Sequence, residues 1–368
     1  MSTGRRWAVV AACAVILLLT PFLLSRIPVT ETGVSASALL ARIQASADVG
    51  YSGYAEASGG LALPVSSSDF GSLADLLGGR TDLRVWWRGP SDWRVDTVDA
   101  VGEKDVHQDA TGIWSWDYER NQASRLVFAA PPEVRLPRAD DLAPPSLARR
   151  LLSQARPSEV TLLPGRRIAG HDAAGLRLRP AERRSTIARV DVWALRSGLA
   201  LQVDVYGRTG PAALNTALLD VSTKQPSTAS TRFLPPLSAR VSTDTLPDLV
   251  AAIDQFARVT PPRRLAGLTR SRGFRTGFGS VGVYGRAVTR LIALPLPPRL
   301  ADDLARQLSG AAAVTQQGDA ASLQIGPMTV RLTARAFNGT RWLLAGTVTP
   351  KTLQAADTQL PVPEGFFR

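Results

Sequence analysis

Apolar and polar residues alternate with a period of two along much of this chain, and that period predicts strands. Leu83, Val85 and Trp87 alternate with Arg84, Trp86 and Arg88. Gly89-Pro90-Ser91-Asp92 then reads as a turn, and Trp93, Val95 and Thr97 return on a second strand. Further strands are expected at Tyr51–Ala57 and at Thr111–Tyr118, where Trp114, Trp116 and Tyr118 share one phase. Another hairpin should carry Val190, Val192 and Ala194, turn at Arg196-Ser197-Gly198, and return through Leu199, Leu201, Val203 and Val205. The sum is an antiparallel meander.

Helical spacing is sparse. Leu39, Leu40 and Ile43 fall on one face of a helix expected over Ser35–Ala47. Pro144-Pro145-Ser146 caps a helix over Leu147–Ser153, and Leu246, Leu249, Val250, Ile253 and Phe256 mark another over Thr245–Val259. Near the C-terminus Val281–Tyr284 and Ala287–Leu294 read as strands, and a helix opens at Pro297-Pro298. Asn338-Gly339 predicts a two-residue type I′ turn between Met328–Phe337 and Thr340–Val348, and Lys351–Ala356 closes with a helical turn. A loop is expected over residues 58–80. The Pro/Ser/Thr-rich stretch Lys224–Ser242 marks a composition shift between two domains.

The N-terminus changes the picture. Arg5 and Arg6 precede an apolar run from Trp7 to Leu24, broken only by Thr20 and Pro21. As a helix it would span about 27 Å, close to a bilayer core. The paired arginines place the N-terminus inside the cell and everything after Arg26 outside. A cleaved signal peptide is the rival, with a small-residue site at Val34-Ser35-Ala36. The net charge is +12, and of the 43 basic residues only Lys104, Lys224 and Lys351 are lysines. That excess suits anionic headgroups, wall polymers or an acidic partner; nucleic acid is excluded by the expected topology. Cys13 is the one cysteine, so the exterior part has no disulfide and no thiolate metal site.

Catalytic constellations are scarce, and no enzyme is expected. His107 falls in a polar stretch between strands and His171 in a turn; both read as surface histidines, so neither a metal nor a cofactor is predicted. Asp302-Asp303 suit the start of the helix that follows Pro298. Gly277–Gly282 fits G-x-G-x-x-G but lacks a preceding apolar strand and a following helix, so it is no dinucleotide motif. The tryptophans are the richer set. Trp86, Trp87, Trp93, Trp114, Trp116 and Trp193 all lie in the first β region, where they form either a core or an apolar groove.

Trp86-Trp87-Arg88-Gly89-Pro90-Ser91-Asp92-Trp93-Arg94 resembles the strand–turn–strand of LolA-type lipoprotein carriers. So do Asp109–Tyr118 followed by Asn121-Gln122, and Val190-Asp191-Val192-Trp193 through Gly198-Leu199 to Val205. The added C-terminal part resembles the two-domain layout of the sigma-E regulatory RseB (MucB) family. The resemblance implies an α+β protein: a curved antiparallel β half-barrel with few helices, a smaller α+β C-terminal domain, and the N-terminal transmembrane helix. The expected division is anchor or signal peptide 1–30, ligand-binding domain 35–235, linker and connecting helix 236–262, and C-terminal domain 263–363. The implied function is binding of a lipid, lipoprotein or other apolar ligand at the outer face of the membrane. The alternative is an envelope-stress regulator in contact with an anti-sigma factor. Candidate groove residues are Val85, Trp87, Val95, Trp114, Trp116, Leu201 and Val203.

Overall fold

A computed structural model describes Trp7 and residues 33–60, 79–99, 102–127, 138–245, 257, 259–271, 279–310 and 314–363. Twelve strands form one open sheet: β1 (Tyr51–Gly59), β2 (Arg80–Gly89), β3 (Asp92–Asp99), β4 (Gly102–Asp109), β5 (Gly112–Asp117), β6 (Gln122–Val127), β7 (Val160–Ile168), β8 (His171–Leu178), β9 (Ile187–Ala194), β10 (Ala200–Gly207), β11 (Ala212–Ser222) and β12 (Arg240–Thr245). Their order is β12-β6-β5-β4-β3-β2-β1-β11-β10-β9-β8-β7. Two meanders thus meet where β1 pairs with both β2 and β11, and all neighbours are antiparallel except β12 against β6. The outer strands β12 and β7 do not meet, so the sheet does not close into a barrel.

One face of this sheet holds the main core. Val85 lies opposite Val95, Trp87 opposite Trp93, and Val203 opposite Val192. Two helices cover that face: α1 (Ala36–Gln44) through Leu39, Leu40 and Ile43, and α2 (Pro144–Leu152) through Leu147, Ala148 and Leu152. Ser35 caps α1 by accepting a hydrogen bond from the Ala38 N–H, and Pro144 opens α2 where a missing N–H costs nothing. The turn at Gly198 fits under α1: its φ is +88° and an added Cβ would run into the Arg42 carbonyl oxygen.

The chain continues through the four-residue helix α3 (Thr228–Thr231), which precedes β12, and the small ribbon β13 (Arg264–Leu265) and β14 (Leu268–Thr269). A second sheet follows with β15 (Gly282–Arg286), β16 (Thr289–Leu296), β17 (Val314–Gln317), β18 (Ala320–Ile325), β19 (Met328–Leu332) and β20 (Arg341–Gly346), in the order β15-β16-β20-β19-β18-β17. Helix α4 (Pro298–Ser309) packs on β18, and α5 (Pro350–Asp357) on β19 and β20. The protein is therefore mostly β with few helices.

Several expectations change. Among the described residues no helix is long and apolar enough to cross a membrane; the apolar run beyond Trp7 lies outside them, as does most of the helix expected over Thr245–Val259. β12 belongs to the large sheet, so that sheet extends into the stretch read as a linker. Asn338-Gly339 is not a two-residue type I′ turn. Gly339 alone has positive φ, β19 ends at Leu332, and Asn338 instead accepts from the Thr340 N–H and hydroxyl while donating to the Pro363 carbonyl. The stretch after the rejected glycine motif is β15, a strand.

Candidate functional site

The seven groove candidates fall on two opposite faces. Val85, Val95, Leu201 and Val203 are fully buried, and Trp87 nearly so, all in the core beneath α1 and α2. Trp87 stacks on Trp93 with ring centroids 6.1 Å apart, and its indole N–H donates to the Ala47 carbonyl at 2.7 Å. The Arg149 guanidinium lies 4.8 Å from its ring centroid. Fixed polar contacts at a filled core are what close packing looks like; no open apolar groove separates these side chains from the helices among the described residues.

Trp114 and Trp116 sit on the other face. Cross-strand partners share a face, and Trp114 lies opposite His107, which in turn lies opposite Arg94. Trp116 lies opposite Asp105, which lies opposite Asp96. The segment after α3 covers this patch. Phe233 places its ring 4.9 Å from His107, 5.4 Å from Trp114 and 6.1 Å from Trp116. Thr231 secures the segment: its carbonyl accepts from His107 Nδ1 at 2.9 Å, and its hydroxyl donates to Asp92. His107 is thus not a surface histidine but 3% exposed. The sequence reading failed because Gly102–Asp109 has no apolar alternation; β4 is a polar strand whose partners are themselves polar.

Arg94 organises the acids. It donates to both oxygens of Asp96 at 2.6 and 2.8 Å and to Asp105 Oδ2 at 3.0 Å. Burial, then the neighbouring Asp96 charge, pushes the Asp105 carboxyl up to about 7 despite Arg94. Burial pulls His107 down to about 4, against the opposing Thr231 bond. His107 Nε2 and Asp105 Oδ1 are buried without a hydrogen-bond partner.

Three other surfaces matter. Tyr118, Leu234, Leu237 and Val241 are exposed apolar side chains where the β5–β6 turn meets the start of β12. Asn121 Nδ2 donates to the Ser238 carbonyl at 2.8 Å and the Arg240 N–H to the Asn121 carbonyl at 3.0 Å, tying the two segments together. Arg120, Arg232 and Arg240, all exposed, neighbour Tyr118, Leu234 and Val241 in the sequence. The far edge, β7, is guarded by Pro164, Arg166 and Arg167 and by a register shift. Between the two sheets, a half-open cleft of about 330 Å³ is lined by Glu182, Gly267, Thr269 and Arg286, among others. Arg286 there donates to both Glu159 oxygens at 2.6 and 2.9 Å.

No protein-family model matches the chain, and no curated protein does. Solved structures do. The crystal structure of MucB in complex with MucA(peri) is 18% identical, with 90% of this chain and 99% of that one covered and a TM-score of 0.49. The Pseudomonas aeruginosa MucA/MucB complex gives 16% identity, 90% and 99% coverage and a TM-score of 0.49. A LolA-superfamily protein from Nitrosomonas europaea gives 10% identity, 85% and 91% coverage and a TM-score of 0.21.

Proposed function

We propose that this chain is a non-enzymatic envelope protein that acts at the outer face of the membrane by docking another protein, not by storing an acyl chain. The observation that carries this reading is the sealed sheet face. Val85, Val95, Leu201 and Val203 have no exposed surface, so a lipid tail would have to displace α1 or α2 to reach them. The docking surface is the outer edge of β12, with which no strand pairs among the described residues. An edge strand presents unpaired N–H and C=O groups to an incoming strand. Leu237 and Val241 flank that edge as apolar contacts, and Arg120, Arg232 and Arg240 favour a segment bearing acidic residues. The partner is therefore an extended, acidic and apolar polypeptide segment, and the resemblance read from the sequence implies a membrane anti-sigma factor as its source.

A photo-cross-linking residue at Leu237, in cells, tests this against the same residue at Arg167 on the opposite edge. The expected result is one discrete protein adduct at position 237, lost with Val241→Asp and absent at position 167. Adducts to lipid alone, or adducts indifferent to position, would count against the docking edge.

A further inference from the structure

We propose that Asp96, Asp105 and His107 form a binding site for one divalent cation of the zinc class, roofed by Phe233. Among the described residues this is the one group of His, Cys, Asp and Glu whose donor atoms converge, all lying within 4.8 Å of one another. All three residues are buried, Asp96 and His107 almost completely. Adjacent strands supply them: Asp105 and His107 alternate on β4, and Asp96 stands opposite Asp105 on β3.

The second observation is the state of the donors. His107 uses Nδ1 toward the Thr231 carbonyl, which fixes the tautomer with a proton on Nδ1 and a lone pair on Nε2. Nε2 is buried and has no partner, and neither does Asp105 Oδ1. A buried acceptor without a donor is destabilising, because it has given up its bonds to water. Two in one cluster call for a positively charged or donating occupant. A backbone carbonyl on the far ring nitrogen is the arrangement that orients metal-ligating histidines and raises their basicity.

Charge points the same way. Asp96 and Asp105, which also hydrogen-bond to each other, face a single guanidinium, Arg94. Arg94 holds both Asp96 oxygens and one Asp105 oxygen, so it orients the acids without using Asp105 Oδ1. Imidazole with carboxylates suits zinc and similar borderline ions, whereas calcium and magnesium prefer all-oxygen sets. Bonds of about 2.0–2.2 Å put tetrahedral donors about 3.4 Å apart, so small side-chain rotations bring the three donors to one ion, with water as the fourth ligand. A bound cation would tighten the His107–Thr231 bond and with it the Phe233 roof, which coats Trp114 and Trp116.

The full chain, stripped with chelator, is titrated with Zn²⁺ against a chromophoric competitor, and Co²⁺ absorption reports the coordination number. The expected result is one ion per chain with a four-coordinate Co²⁺ spectrum. His107→Phe and Asp105→Asn should each lower affinity at least 100-fold, while His171→Phe, at the other histidine, leaves it unchanged. Asp105→Asn keeps the volume of the side chain it replaces and His107→Phe enlarges it, so circular dichroism identifies any variant that fails to fold; the folded one decides. No stoichiometric binding, or binding undiminished in the folded variants, would overturn the site.

Discussion

Trp87→Ala is expected to destabilise the protein by about 3–5 kcal/mol, the range for emptying an aromatic site in a packed core. The indole stacks on Trp93, donates to Ala47 and lies beneath the Arg149 guanidinium, so its loss leaves a cavity, an unpaired carbonyl and an unsupported cation. Trp114→Ala should cost only about 1 kcal/mol, because Trp114 is half-buried on the opposite face and its contacts are Phe233 and Arg125. Urea unfolding followed by circular dichroism measures both. Equal losses would mean that the two tryptophans share one environment, contrary to the register of the sheet.

Glu159→Ala is expected to cost about 3 kcal/mol and to uncouple the two sheets. Glu159 accepts four donors: two from Arg286 of β15 and the N–H groups of Arg156 and Ala181. The junction also carries backbone pairing, Thr186 N–H to the Thr347 carbonyl and Thr349 N–H to the Arg184 carbonyl, together with the Thr186 hydroxyl on the Pro327 carbonyl, the Gln154 side-chain oxygen accepting from Ala287 and Arg290, and Val288 buried in the first core. Removing the carboxylate leaves Arg286 with the Gln154 carbonyl alone. Burial works to raise the Glu159 carboxyl, but the Arg286 and backbone bonds outweigh it and hold it below its ordinary value of 4.5. A lowered folded-state value means that the stabilisation is present above the unfolded value and is lost as pH falls through the folded one. The parent should therefore lose this increment below about pH 4, and the Ala variant should not. Calorimetry of the variant should show two transitions where the parent shows one.

Strands with an apolar phase were legible in the sequence. Leu83, Val85 and Trp87 bury the phase opposite Arg84, helices α1, α2 and α4 begin at or next to their expected Ser or Pro positions, and α5 begins one residue before the expected Lys351. β4 was not legible, because its buried residues are Asp105 and His107 and their partners come from β3, β5 and the Thr231 segment. Local pattern carries no information about such long-range satisfaction. Which phase faced the helices was equally hidden. Trp114 and Val85 look alike as alternating apolar residues, and only the register through β3 and β4 assigns them to opposite faces. The Lys224–Ser242 stretch reads as a linker by composition, yet Phe233 and Thr231 anchor it to aromatic and acidic groups distant in sequence.

Native mass spectrometry of the full chain extracted from its own membranes tests the sealed core most directly. The mass of the polypeptide without an acyl-chain ligand is the predicted result. One lipid per chain, retained in Leu237→Asp but lost when Val203→Gln places an amide in the core, would contradict it and restore the lipid carrier.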